Sequence, residues 1–220
     1  GEDGAGPQKV GVALVDIMTG LYATIAVLAA LNHRHATGQG QHIDLALLDV
    51  QVAALANQAA SFLTTGVSPR RMGNAHPTIV PYQDFPTADG DMILAIGNDG
   101  QFARFSAAAG HPEWSTDERF ATNPARVKHR GELVPVLTGW ALERTTAEWV
   151  ALLEHAAVPC SPILDIAQVM EHPHVHARGM RIDAGDGAPP MIATPMRFDG
   201  QRPRASLPPP ALDGARPVWD

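Results

Sequence analysis

Cysteine is nearly absent: Cys160 is the one thiol in 220 residues. A lone thiol excludes an internal disulfide framework and a cysteine-built metal site, and it fits a reducing, cytoplasmic compartment. Its expected role is packing. Aromatic residues are scarce, at 5%, so Ala, Val, Leu and Ile must fill most of the interior. Positive charge is not in excess either. The formal net charge is -7 and no basic patch stands out, so nucleic acid is not an expected partner. The longest apolar run, residues 21–31, is shorter than the ~20 residues a bilayer-spanning helix needs, so no membrane association is expected. There is no signal-peptide pattern, phosphate-binding loop, serine-centred elbow or CxxC pair. The opening Gly-Glu-Asp-Gly-Ala-Gly-Pro lacks Met and reads as a linker, so the chain is expected to be the later part of a longer protein.

What is present is a chain 45% hydrophobic, enough for a real core. Residues 10–15 are short, apolar and valine-rich, and are expected to be extended, with Asp16 at their end. Residues 19–35 read as a helix that is apolar nearly all round and therefore buried on most faces. His33, Arg34 and His35 suit its last turn, and Gly38 suits its C-cap. Residues 41–46 alternate in strand fashion, and one helix is expected over 47–63.

Composition shifts at Ser68-Pro69-Arg70-Arg71, and a second unit is expected to start at Met72. Residues 81–85 and 92–96 read as strands joined by an Asp89-Gly90 turn. Helices are expected over 101–109, 124–142 and 146–156, the last capped by Thr145 or Thr146 with Glu148 following. A short strand over 159–163 and a short helix over 166–171 complete this unit. From Arg181 proline and glycine become dense, including Pro208-Pro209-Pro210, and this tail should be extended and irregular.

Asp16 is the residue most apt for chemistry. It is a single carboxylate between an apolar segment and an apolar helix, and such a group is rarely buried without a partner. It can be an N-cap that accepts first-turn N–H bonds. It can also be a nucleophile held ionised by the same helix terminus, beside N–H groups able to stabilise an oxyanion. The second point of interest is Gly73-Asn74-Ala75-His76-Pro77, at the junction of the two units. It reads either as a plain turn or as the lining of a cleft, with His76 orienting a ligand. His172, His174 and His176 alternate as a metal tract would, but no cysteine or acidic cluster completes a ligand set, so a solvated turn is expected. Gly38-Gln39-Gly40 follows a helix instead of preceding one, which argues against a nucleotide loop. On residues alone the reading stops at an α/β protein with an interesting Asp16.

The order of motifs goes further. Val10-Gly11, Asp16, Thr19-Gly20-Leu21-Tyr22-Ala23, Arg34 and Thr37-Gly38-Gln39-Gly40-Gln41-His42-Ile43-Asp44-Leu45 come first. Gly73-Asn74, His76-Pro77, Pro81-Tyr82, Phe85-Pro86-Thr87, Asp89-Gly90 and Ile96-Gly97-Asn98-Asp99 follow. Then come Gln101-Phe102, Asp117-Glu118-Arg119-Phe120, Arg126, Arg130 and Val158-Pro159-Cys160-Ser161-Pro162. This series resembles the later part of family III CoA-transferases, the CaiB/BaiF type, up to about Met196.

The resemblance implies an α/β fold: part of a Rossmann-like large domain over 1–66, a smaller α+β domain over 72–180, and the tail 181–220 returning to the large domain. It implies an interlocked homodimer and places most CoA contacts in the half of the large domain that precedes this chain. Asp16 would be the nucleophile, and Gly73, Asn74 and His76 would line the substrate cleft. No permanently bound cofactor or metal is implied; a CoA thioester and a carboxylic acid are the substrates. The Pro210-Ala211-Leu212-Asp213-Gly214 end departs from the family's usual Leu-Gly-rich segment and final helix. Two rivals remain at this point: a 2-methylacyl-CoA racemase of the same superfamily, which shares the aspartate, and an inactive fragment or split subunit that needs a partner chain.

Overall fold

The computed structural model describes residues 1, 4–183 and 189–203. The proline triplet at 208–210 and the Trp219-Asp220 end lie outside the described residues.

The first helix, α1, runs Leu14–Thr37. It starts earlier than the sequence pattern suggests: the valine-rich 10–15 segment is not a strand, and Leu14 and Val15 already belong to the helix. Threonine hydroxyls turn back onto the helix's own carbonyls, Thr19 to Val15 at 2.7 Å and Thr24 to Gly20 at 2.9 Å. Gly38 ends it as expected, at φ 74°, with its N–H donating to the Arg34 carbonyl. The expected burial of this helix is not met within the chain, because none of its residues is buried and Leu28 is 61% exposed. Its 24 residues are also long and apolar enough to cross a membrane, on length and composition alone. The 21–31 run underestimates it because the helix extends past that run at both ends. A core helix of a soluble protein passes the same test.

Residues 41–46 form no strand, since an alternating segment needs a neighbour to pair with and, among the described residues, no strand pairs with it. The helix expected over 47–63 is two, α2 Leu47–Ala54 and α3 Ala56–Thr65. Ala56 has φ 44°, outside the right-handed helical region, and breaks the run. Gly66, at φ 69°, caps α3.

Strands β1 Tyr82–Pro86 and β2 Asp91–Ala95 form the expected hairpin, with Phe85 opposite Met92. Its turn closes through Thr87 N–H to the Gly90 carbonyl. Helix α4, Asp99–Ala108, follows; after it the helix expected over 124–142 is again two, α5 Asn123–Lys128 and α6 Arg130–Ala141. His129, at φ -100° and ψ 24°, leaves helical geometry between them. Helix α7, Thr146–His155, has the expected capping box of Thr145 and Glu148. Strand β3, Cys160–Pro162, joins the other edge of β2, so the sheet order is β1-β2-β3, antiparallel throughout. Helices α8, Ile166–Glu171, and α9, Pro173–Ala177, lead to a small antiparallel pair, β4 Arg181–Ile182 with β5 Met191–Ile192.

The core sits between the three-stranded sheet and helices α4, α6 and α7. Met92 and Leu94 point inward from β2 while Ile93 between them faces out, the period-two pattern of a sheet covered on one face. The aromatics, though few, are concentrated here. Trp140 lies 3.9 Å from Trp149 between ring centroids and meets Phe105 edge-on at 5.1 Å. Both indole N–H groups are satisfied, Trp149 by the Ala141 carbonyl and Trp140 by that of Ala109. Among the described residues, every buried apolar side chain outside 80–158 is either Val50 or Ala193.

Candidate active site

Asp16 is the third residue of α1, not its N-cap; Ala13 holds the cap position and has no side chain to bond with. The carboxylate is exposed and, among the described residues, has no hydrogen bond or ion pair. The first turn of a helix favours negative charge through its unpaired N–H groups and the macrodipole. An exposed carboxylate there has its lone pairs uncommitted and can attack an electrophile.

The Gly73–Tyr82 segment is built differently. Gly73 has φ 60°, where a side chain would be strained, and its N–H donates to the Gly1 carbonyl at 3.0 Å. Asn74 is exposed, and His76 is half-buried. The His76 ring stacks on Tyr82 at 5.3 Å with an 8° interplanar angle. The His76 N–H donates to the Tyr82 carbonyl at 2.9 Å, and the Thr78 N–H donates to His76 Nδ1 at 3.2 Å.

A set of polar side chains from farther along the chain holds this segment. Arg130 donates to the carbonyls of His76, at 2.6 Å, and Pro77, at 3.2 Å. Burial pushes the Arg130 guanidinium below its ordinary pKa. Asn123 donates to the Thr78 carbonyl at 2.8 Å and accepts from the Val80 N–H at 3.1 Å. Arg126 is fully buried and donates to the carbonyls of Val80, at 2.7 Å, and Phe120, at 2.8 Å. Its third contact is Asp99 at 2.8 Å, and its guanidinium lies 4.3 Å over the Phe102 ring. Burial lowers the Arg126 pKa, and the Asp99 contact opposes that shift. Asp99 also accepts from the Asn123 N–H. Asn98 caps α4 through Gln101 N–H, while Gln101 reaches back to Gly97 N–H. Asp99, Arg126 and Arg130 stand in the motif series without an assigned task, and Asn123 is absent from it. Their common task is to brace residues 76–80. The Thr122-Asn123-Pro124 helix start is the one local signal near them.

Among the described residues, no hydrogen bond or ion pair joins Asp16 to Gly73, Asn74 or His76. The alternating histidines do not lie on a strand. His172 caps α9, with its Nδ1 accepting from His174 N–H, and His176 approaches Glu171 at 3.7 Å. No group of His, Cys, Asp or Glu able to hold a metal occurs among the described residues. Cys160 packs partly buried against the core, and burial raises its thiol pKa.

A CaiB/BaiF family protein from Brucella suis matches with a TM-score of 0.80 at 46% identity, over 97% of this chain and 56% of that one. A protein from Mycobacterium tuberculosis matches at 0.81 and 28% identity, over 94% of this chain and 55% of that one. The sequence model of CoA-transferase family III matches residues 1–216, and the chain belongs to that family. Among curated relatives, a succinate–glutarate CoA-transferase from Agrobacterium fabrum is 46% identical over 93% of this chain and 54% of its own length. The succinyl-CoA:glutarate CoA-transferase of Mus musculus is 37% identical over 96% of this chain and 49% of its own. The chain thus spans about half the length of the curated relatives it matches.

Proposed function

We propose that the whole protein transfers CoA from an acyl-CoA thioester to a carboxylic acid, with Asp16 as the nucleophile. The observation that carries this reading is Asp16 itself: an exposed, unpaired carboxylate in the first turn of an apolar helix, in a chain of this family. The Asp16 carboxylate attacks the thioester carbonyl, the C–S bond breaks, and CoA leaves as thiolate from a mixed anhydride. The thiolate then attacks the aspartyl carbonyl and releases the donor acid as carboxylate, leaving an aspartyl-CoA thioester. The acceptor carboxylate attacks that carbonyl, expels the thiolate and forms a second anhydride. The thiolate's final attack on the acceptor's acyl carbon yields the new thioester and restores Asp16. Each step exchanges one acyl bond for another, which is how covalent catalysis divides a difficult transfer.

The relatives' names point to dicarboxylates of the succinate and glutarate class as donor and acceptor. In this reading Gly73, Asn74 and His76 line the substrate cleft. Residues 1–66 belong to a Rossmann-like large domain, 72–180 form the small domain, and 181–220 return to the large one. The apolar surface of α1 to α3 is covered by the rest of that domain and by a second subunit of a homodimer, not by lipid. The protein acts in the cytoplasm on free substrates, with no bound cofactor.

The test is chemical trapping. The full-length protein is incubated with succinyl-CoA and hydroxylamine, and its peptides are weighed by mass spectrometry. A hydroxamate on the peptide containing Asp16 is expected. Absence of the adduct, together with exchange of the α-proton of a 2-methylacyl-CoA with deuterated water, would replace transfer by racemisation.

A further inference from the structure

The bracing of residues 76–82 exceeds what a chain reversal requires. An ordinary turn is closed by one backbone hydrogen bond or none. Here the carbonyls of His76, Pro77, Thr78 and Val80 each receive a side-chain donor, from Arg130, Asn123 or Arg126. One of those donors, Arg126, is a guanidinium taken fully out of water and another, Arg130, is partly so, a cost that backbone bonding alone would have avoided. The His76 ring is held separately, against Tyr82 on one face and by the Thr78 N–H at Nδ1.

That last contact decides the tautomer. A ring nitrogen that accepts an N–H bond carries a lone pair, so the ring proton is on Nε2. Nε2 has no partner among the described residues, and it is not a buried unpaired atom, so it opens to solvent. The result is one N–H donor of fixed direction on a braced loop. A donor held in place before the substrate arrives loses little on binding and strengthens an oxygen that gains charge.

We propose that His76 is a substrate-binding residue whose Nε2–H donates to a carboxylate or thioester oxygen. The inference deepens the CoA-transfer reading and rests on it for the identity of the ligand. Three substitutions in the full-length protein separate the parts of the side chain. His76→Phe keeps a ring over Tyr82 and removes both nitrogens. His76→Asn keeps an acceptor for the Thr78 N–H but lacks the reach of Nε2. His76→Gln carries an amide N–H out to the Nε2 position.

The expected result is a fall in kcat/KM of about ten- to hundredfold for His76→Phe and His76→Asn, the worth of one hydrogen bond to a charged oxygen. His76→Gln should recover most of it, and His76→Asn should melt as the unmodified protein does. If His76→Asn is as active as the unmodified protein, or if His76→Gln is no better than His76→Asn, the inference is overturned. Calorimetric binding of succinyl-CoA separates the two readings. If the unmodified protein moves no CoA but binds succinyl-CoA, transfer falls; about tenfold weaker binding by His76→Asn then upholds the donor, and equal binding overturns it. If the unmodified protein neither moves nor binds the thioester, both readings fall.

Discussion

Replacing Arg126 by methionine removes the centre of the brace while keeping most of the side-chain volume. The guanidinium is fully buried and supplies donors to the Val80 and Phe120 carbonyls at 2.7 and 2.8 Å. Methionine supplies none. Each carbonyl left unpaired inside the protein costs about 1–3 kcal/mol. The Asp99 contact adds little, because that carboxylate is 52% exposed and keeps its bond from the Asn123 N–H. Relief of the guanidinium's own desolvation offsets part of the loss. The expected destabilisation is about 2–4 kcal/mol. Arg126→Lys, which keeps the charge and part of the donor set, should lose less. Urea unfolding followed by circular dichroism measures both, with an unchanged slope showing that the unfolded state is not the cause. Arg126→Met as stable as the unmodified protein would show that the two carbonyls do not depend on the guanidinium.

Two smaller perturbations test other parts of the fold. Thr145→Ala removes the hydroxyl that accepts the Glu148 N–H and donates to its carboxylate, while the Thr145 N–H keeps its own bond to that carboxylate, and should cost about 1 kcal/mol in the same unfolding assay. The Arg119 guanidinium holds the Asp117 carboxyl down to about 2. A depressed carboxyl favours the folded state when ionised, so its contribution is complete above the ordinary value near ~4 and is lost as pH falls through about 2. Melting temperatures recorded across that window should fall less steeply for Asp117→Asn than for the unmodified protein; parallel curves would remove Asp117 from the acid response.

Much of the fold is legible in the sequence where the signal is local. Gly38 and Gly66 end their helices, Asp89-Gly90 turns the hairpin, and Thr145 with Glu148 starts α7. Each is a matter of three or four adjacent residues. The errors come where a distant contact or one backbone angle decides. Residues 41–46 alternate but have no strand to pair with among the described residues, and Ala56 leaves helical space without a glycine or proline to announce it. Arg126 meets Val80 across 46 positions and Arg130 meets His76 across 54, so no periodicity marks the brace. Asp16 stands out in the sequence as a lone carboxylate among apolar residues. Its place inside the first turn follows from Leu14 and Val15 being helical, which their β-branched and valine-rich surroundings disguise.

The concentration of aromatics in one place divides the chain optically. Trp114, Trp140 and Trp149 all belong to the cluster between the sheet and its helices, and the fourth tryptophan, Trp219, lies beyond the described residues. Residues 1–113 contain no tryptophan. The emission of these three indoles, isolated by Trp219→Phe, watches the core and is blind to α1, whose 24 residues make it the longest helix in the described chain. Ellipticity in the far ultraviolet weighs that helix heavily. The two signals, followed through one denaturation, are reporters on two separate regions: coincident curves mean the exposed helices and the aromatic core lose structure as one unit, and displaced curves give the order in which they go.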